Sequence, residues 1–211
     1  MSVKLIVFDF DGTIADTYDT FVEIVIRLSE QWGYPSVNRE AVFQMRNLSS
    51  REIIQQSEIP LWKLPFLLRK ATSELGKEIA NVRPISGIPE ALVVLKDRGY
   101  QLGILTSNSR KNVTKFLKKN SLLDLFDFLD TGTGIFRKDK AIKTVIRRHK
   151  VLKKNLIYIG DETRDIEAAK KSEVKVIAVN WGFNSPEILI AHQPNSFANN
   201  PQELVDLIVN L

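Results

Sequence analysis

The run Lys4-Leu5-Ile6-Val7-Phe8-Asp9-Phe10-Asp11-Gly12-Thr13 constrains this chain more than any other segment. Leu5 to Phe8 is unbroken apolar sequence, the pattern of a short strand buried on both faces, as parallel strands are. It delivers two aspartates, one residue apart, into a Gly-Thr turn. A buried strand gains no packing from carboxylates at its end. Their desolvation and mutual repulsion cost free energy unless a cation lies between them. Carboxylate, carbonyl and water oxygens are the ligands that Mg²⁺ prefers. The segment therefore reads as a magnesium site at the C-terminal end of a central parallel strand, where open α/β sheets place their ligands. For an isolated pair a solvated strand exit is the plainer alternative, and the rest of the chain decides between them.

Further apolar runs predict buried strands over 102–106, 156–160 and 174–179, with a weaker one over 126–130. Helical patterns lie between and after them, over 89–98, 109–119, 165–171 and 201–209. Pro89 falls in a first turn, Gly99 just past an end, and Ser109 at an N-cap. Val113, Phe116 and Leu117 form the inward stripe of the second of these helices. This alternation argues for a doubly wound parallel sheet, an α/β fold. Residues 16–84 differ, for they contain no convincing strand. Phe21, Ile24, Val25, Leu28 and Trp32 recur at helical spacing up to Gly33, and Asn38 opens a second helix. Ser49 with Glu52 forms a capping box for a third, and Pro60 and Pro65 punctuate the start of a fourth over 66–79. The expected organisation is an α/β core of residues 1–15 and 85–211 with an all-helical cap, 16–84, inserted after the first strand. Trp32, Phe43, Trp62 and Phe66 are expected to form the cap's own small core.

Each later strand also ends in polar chemistry. One leads into Thr106-Ser107-Asn108-Ser109, where a hydroxyl and backbone N–H groups near a helix start can cradle an anion. Another leads into Gly160-Asp161-Glu162-Thr163-Arg164-Asp165, with carboxylates four residues apart on a strand-to-helix turn. Capping is the bland reading of either. Two such carboxylate pairs on neighbouring strands of one sheet favour a shared site.

These motifs make the chain similar to the haloacid dehalogenase superfamily of phosphohydrolases over essentially its whole length. Asp9 to Thr13 matches that family's D-x-D-G-T motif, Thr106 its strand-end Thr or Ser, and Gly160-Asp161 through Asp165 its G-D-x-x-x-D motif. The helical block resembles the cap of phosphoglycolate phosphatases and their relatives. The family's lysine usually stands in a Gly-Lys-Pro setting. Here the segment reads Phe136-Arg137-Lys138-Asp139-Lys140, with neither flanking residue. Lys138 fits best, just before a helix, and Lys140 is the fallback.

The resemblance implies roles. Asp9 would attack phosphorus and form an aspartyl-phosphate. Asp11 would protonate the leaving oxygen and then take a proton from water. Mg²⁺ would be held by the Asp9 carboxylate, the Asp11 backbone carbonyl and Asp161, with Asp165 supporting it or reaching it directly. Thr106, the Ser107 amide and Lys138 would hold phosphate oxygens. Gly12, Thr13 and Asn108 belong to the same substrate cradle. From the cap, Arg46, with Asn47 beside it, would meet the organic part of the substrate. The expected substrate is a small phosphorylated metabolite, 2-phosphoglycolate being the natural guess from the cap type. A phosphomutase using the same aspartates is the nearest alternative, and a non-catalytic binding module the alternative from another class.

The chain has no cysteine, so disulfides and thiolate chemistry are excluded. Its net charge of +5 owes much to residues 137–154. There Ala141, Ile142, Val145 and Ile146 turn inward at helical spacing, and no aromatic residue interleaves the cations to stack bases, so nucleic acid is not expected as a partner. No apolar run approaches a membrane span and no signal peptide is visible, so a cytoplasmic protein without membrane association is expected. Monomer and homodimer stay open. His149 and His192, away from strand ends, are expected to have ordinary surface or helix-face roles, and Trp181-Gly182, at the rim, a packing role.

Overall fold

The structure is a computed structural model that describes residues 4–32, 38–56, 63–134 and 137–211. Its centre is a six-stranded sheet of β1 (Leu5–Phe8), β2 (Gln101–Leu105), β3 (Phe128–Asp130), β4 (Leu156–Gly160), β5 (Lys175–Val179) and β6 (Ser196–Ala198). The spatial order is β3-β2-β1-β4-β5-β6, and every pairing is parallel. The order reverses around β1, which places a crevice at its C-terminal end.

Side chains alternate across the sheet. Ile6 and Phe8 enter one buried layer, with Leu92, Phe116 and Leu204, while Leu5 and Val7 enter the other, with Ile142, Val145 and Ile166. Burial on both faces is why β1 reads as continuous apolar sequence. Helices α1 (Tyr18–Gln31), α2 (Arg39–Gln44), α3 (Ser50–Gln56) and α4 (Leu64–Glu78) lie between β1 and β2, followed by α5 (Ile88–Asp97). The rest alternate with the strands: α6 (Arg110–Lys119), α7 (Lys138–His149), α8 (Thr163–Ser172), α9 (Pro186–Ala191) and α10 (Pro201–Val209). No helix among the described residues is long and apolar enough to cross a membrane.

The helical insertion leaves and rejoins the sheet through two paired crossings. The Asp16 N–H donates to the Arg83 carbonyl at 2.9 Å, and the Ile85 N–H to the Ile14 carbonyl at 2.9 Å. Within the insertion, the Asn38 side chain caps α2, and Ser49 and Glu52 make the reciprocal bonds of a capping box. The packing differs from the aromatic core expected. Ile24, Leu28, Ala71 and Leu75 are its buried members, with Phe21 and Trp32 packed against them. Phe43 is 50% exposed and Phe66 65%. Phe66 only leans on the Trp32 ring, and Phe43 lies against Arg46. Small Ala71 lets α1 and α4 approach, so aliphatic side chains fill the seam. Gly33, Pro60, Trp62 and Phe136 lie outside the described residues, as does the side chain of Pro65.

Candidate active site

The crevice at the end of β1 gathers residues from four parts of the chain. Asp9 follows β1 directly and is 2% exposed. Its Oδ1 accepts the Phe10 N–H at 2.8 Å and its Oδ2 the Lys138 ammonium at 2.8 Å. Lys138, the first residue of α7, is 3% exposed and also bonds Asp165 Oδ1. Its ammonium lies 5.6 Å from the centre of the Tyr158 ring. Burial opposes that charge, but Asp165 and Asp9 outweigh it and hold the lysine above its ordinary pKa. Lys140 is exposed on the far side of the helix start.

Asp161 sits where β4 turns toward α8 and is fully buried. It accepts the Thr13 hydroxyl at 2.6 Å on Oδ1 and the Phe183 N–H at 2.7 Å on Oδ2. Gly12 makes this approach possible. Its φ is +74°, and a Cβ there would run into the Asp161 carboxylate and the Phe183 ring. Asp165 Oδ2 accepts the Glu162 N–H at 3.1 Å, so this residue serves both the helix start and the lysine.

Asp9, Asp161 and Asp165 each offer an oxygen within 4.8 Å of the others. Five carboxylates (Asp9, Asp11, Asp161, Glu162, Asp165) meet two buried or half-buried cations, Lys138 and Arg164. The surplus shows in the acids. Burial, then Glu162, Asp165 and Asp9, push Asp161 well above the carboxylate range, and Asp165 is pushed up to about 6 by burial against the pull of Lys138. A hard divalent cation fits this donor set, because oxygen ligands and excess negative charge are what it requires.

Asp11 is half-exposed at the crevice mouth. Burial and the charge of Asp9 raise its carboxyl to about 7, while Asn108 partly offsets them by donating its Nδ2 to both Asp11 oxygens at 3.0 Å. Thr106, at the end of β2, is 1% exposed, and its hydroxyl accepts the Asn108 N–H at 3.0 Å. Ser107 lies half-buried between them.

The remaining residues that the sequence singles out have the following partners. The Thr13 hydroxyl is committed to Asp161, and the Asn108 amide to Asp11. Arg46 donates to the backbone carbonyls of Gly182 at 2.9 Å and Phe183 at 3.2 Å, with its guanidinium against the Tyr18 ring. Asn47 is exposed. Trp181 bonds the Thr13 carbonyl through Nε1 at 3.1 Å, His149 lies against the Phe128 ring, and His192 Nδ1 is 2.9 Å from the Ile188 carbonyl.

Sequence reasoning gave no role to two residues here. Arg164 bonds Glu162, and its buried Nε has no hydrogen-bond partner among the described residues. Burial opposes its charge, yet Glu162, Asp9 and Asp165 hold it firmly protonated. A cation between the carboxylates of 161–165 was the available signal. Asn184, 4% exposed, accepts the Thr163 N–H at 2.9 Å and donates to the Arg46 and Leu48 carbonyls at 3.0 Å each. No motif marks it.

The family model of haloacid dehalogenase-like hydrolases matches residues 6–179, and the chain belongs to that family. It is a hydrolase of the phosphatase kind, acting on phosphoric monoesters. The chain is 34% identical over 209 residues, 99% of each chain, to a phosphoglycolate phosphatase of Synechococcus elongatus. It is 24% identical over 216 residues to an N-acetylmuramic acid 6-phosphate phosphatase of Pseudomonas aeruginosa, covering 99% of this chain and 96% of the relative. The fold is that of the crystal structure of a predicted phosphatase from Clostridium acetobutylicum, with a TM-score of 0.87, 21% identity and full coverage of both chains.

Proposed function

We propose that this protein is a Mg²⁺-dependent phosphatase that hydrolyses 2-phosphoglycolate through an aspartyl-phosphate on Asp9. The observation that carries the reading is the pair at the end of β1: a buried Asp9 bonded to Lys138, and, two residues on, an Asp11 whose carboxyl is raised to about 7. The substrate is taken from the Synechococcus relative, which matches along the whole chain.

Asp9 attacks phosphorus, which divides one difficult displacement into two easier ones. Asp11 gives its proton to the departing oxygen, then accepts one from the water that cleaves the intermediate. A carboxyl poised near neutrality suits both halves. Lys138, the Thr106 hydroxyl and the Ser107 N–H hold the non-bridging oxygens, since phosphoryl transfer is catalysed mainly by positioning and charge stabilisation. Asp9, Asp161, Asp165 and the Asp11 carbonyl hold the cation. Bound there, Mg²⁺ supplies positive charge for the transferring group. Gly12 and Thr13 fix Asp161 rather than the substrate. Residues 16–84 form a cap that excludes water and selects the organic half of the ester.

The test is phosphate release from 2-phosphoglycolate with Mg²⁺, with EDTA, and in Asp9→Asn. The expected result is turnover in the first alone, with at least a ~10³-fold loss in the variant. Turnover of another phosphomonoester but not this one would replace the substrate. Isomerisation of a hexose phosphate without phosphate release would replace the phosphatase by a mutase. Near wild-type activity in Asp9→Asn would sink the mechanism.

A further inference from the structure

We infer that Asn112 is a positioning residue for the acid Asp11, acting through Asn108, and that it ties this acid to helix α4 of the insertion. The inference rests on the phosphatase reading above, in which Asp11 delivers a proton to the leaving oxygen.

The hydrogen bonds form one directed chain. Asn108 and Asn112 are 2% and 6% exposed, so water cannot substitute for the partners they hold. Asn108 Oδ1 accepts the Ser109 N–H at 2.8 Å and Asn112 Nδ2 at 2.9 Å. A backbone N–H can only donate, so the amide oxygen of Asn108 must face Ser109 and its NH₂ must face the Asp11 carboxylate. Asn112 Nδ2 also donates to the Thr72 carbonyl of α4 at 3.1 Å. Both of its neighbours are acceptors, so its orientation is fixed as well. Helix α4 comes this close because residue 76 is glycine: a Cβ there would lie 2.5 Å from Asn112 Oδ1.

Local structure does not explain Asn112. Ser109 already caps α6, its hydroxyl accepting the Asn112 N–H at 3.2 Å. A buried asparagine inside a helix is disfavoured by propensity and by desolvation. What its side chain does is hold the second lone pair of Asn108 and reach the insertion. Without it Asn108 keeps one anchor in place of two, and its amide can turn away from Asp11. Orientation of the acid toward the leaving oxygen then loosens, which costs rate rather than binding.

The experiment compares phenyl phosphate with para-nitrophenyl phosphate in wild type, Asn112→Ala and Gly76→Ala, at saturating Mg²⁺. Nitrophenolate leaves readily without a proton, whereas phenolate needs the acid. In Asn112→Ala, kcat/KM, which reports formation of the aspartyl-phosphate and so the leaving-group step, should fall about tenfold further for phenyl phosphate than for the nitrophenyl ester. Gly76→Ala crowds Asn112 from the insertion side and should move the ratio in the same direction by less. This second variant carries the test if Asn112→Ala does not fold. Equal losses of kcat/KM on both esters would overturn the inference. An unchanged ratio in Gly76→Ala would overturn the link to α4. A wild-type protein that releases phosphate from neither ester would instead overturn the reading beneath it.

Discussion

The Asp11 carboxyl is where burial, a neighbouring charge and a hydrogen-bonding amide oppose one another. The outcome, about 7, has a direct kinetic consequence. In the proposed mechanism, formation of the aspartyl-phosphate requires the protonated acid, and kcat/KM reports the protonation of the free enzyme. Raising the pH through the Asp11 value removes that proton, so kcat/KM should fall on the alkaline side. Mg²⁺ bound beside Asp9, as proposed, would favour the ionised carboxylate and draw this limb to or below pH 7. Measured between pH 5 and 9, the limb should be present in wild type and absent from Asp11→Asn, whose residual rate should be about 10²- to 10⁴-fold lower. A limb that persists in Asp11→Asn would show that another group titrates.

At the scale of elements, the short turn at 45–47 and the loop at 182–185 meet across the insertion boundary. Arg46 donates to two carbonyls of that loop, the Ser185 N–H donates back to the Arg46 carbonyl at 2.9 Å, and Asn184 bridges Arg46, Leu48 and Thr163. The same loop supplies the Phe183 N–H to Asp161. Arg46→Ala should therefore weaken docking of the insertion and disturb the Asp161 loop. We expect kcat/KM to fall about 5- to 20-fold, alike for 2-phosphoglycolate and para-nitrophenyl phosphate, on the scale of losing charge-assisted hydrogen bonds. A loss confined to 2-phosphoglycolate would return Arg46 to the role that its sequence position suggested. That position, just before a capping box, was legible; the loop it binds, 136 residues on, was not. The same asymmetry runs through the molecule. Apolar runs ending in carboxylates located β1 and β4 to the residue and gathered Asp9, Asp11, Asp161 and Asp165, because burial on both faces and charge at a strand end leave local marks. The strand β6 and helix α9 went unseen, since Ser-Phe-Ala is too short to show a period and Pro186–Ala191 is under two turns. Asn112 and Asn184 carry no motif because Thr72, Thr163, Arg46 and Leu48, which they bond, come from elements distant in the chain. Phe43 and Phe66 are exposed rather than part of the insertion's core for a related reason: helical spacing gives a face, but not which neighbour covers it.

For the whole molecule, the parallel sheet converges several carboxylates on one crevice, and folding must bear their repulsion. Without a cation the folded state keeps protons that the unfolded chain would release. Asp11 holds its proton to about pH 7 and Asp165 to about 6, against 3.8 when unfolded, and Asp161 is raised in the same sense. Between these limits the native state binds more protons, so the slope of unfolding free energy with pH is negative. Stability contributed by these groups is complete below about pH 4 and lost as pH rises through 6 to 7. Glu52, Glu74, Asp127, Glu173 and Glu203 shift the other way, but they titrate at or below their ordinary values and leave this window clear. Lys138, raised, remains charged throughout. In EDTA the Tm should therefore fall from pH 5 to 7.5, by about 5 °C or more for a chain of this size. Saturating Mg²⁺ should reverse the effect, since bound cation favours the ionised acids and stabilises by about 2.7 kcal/mol at a hundred times its Kd, or roughly 5–10 °C. The two Tm curves should diverge with rising pH and converge near pH 5. In Asp161→Asn the gap should shrink, because that change removes both a proposed ligand and one of the repelling charges. Parallel curves with and without Mg²⁺ would mean that the cation binds elsewhere than among these carboxylates.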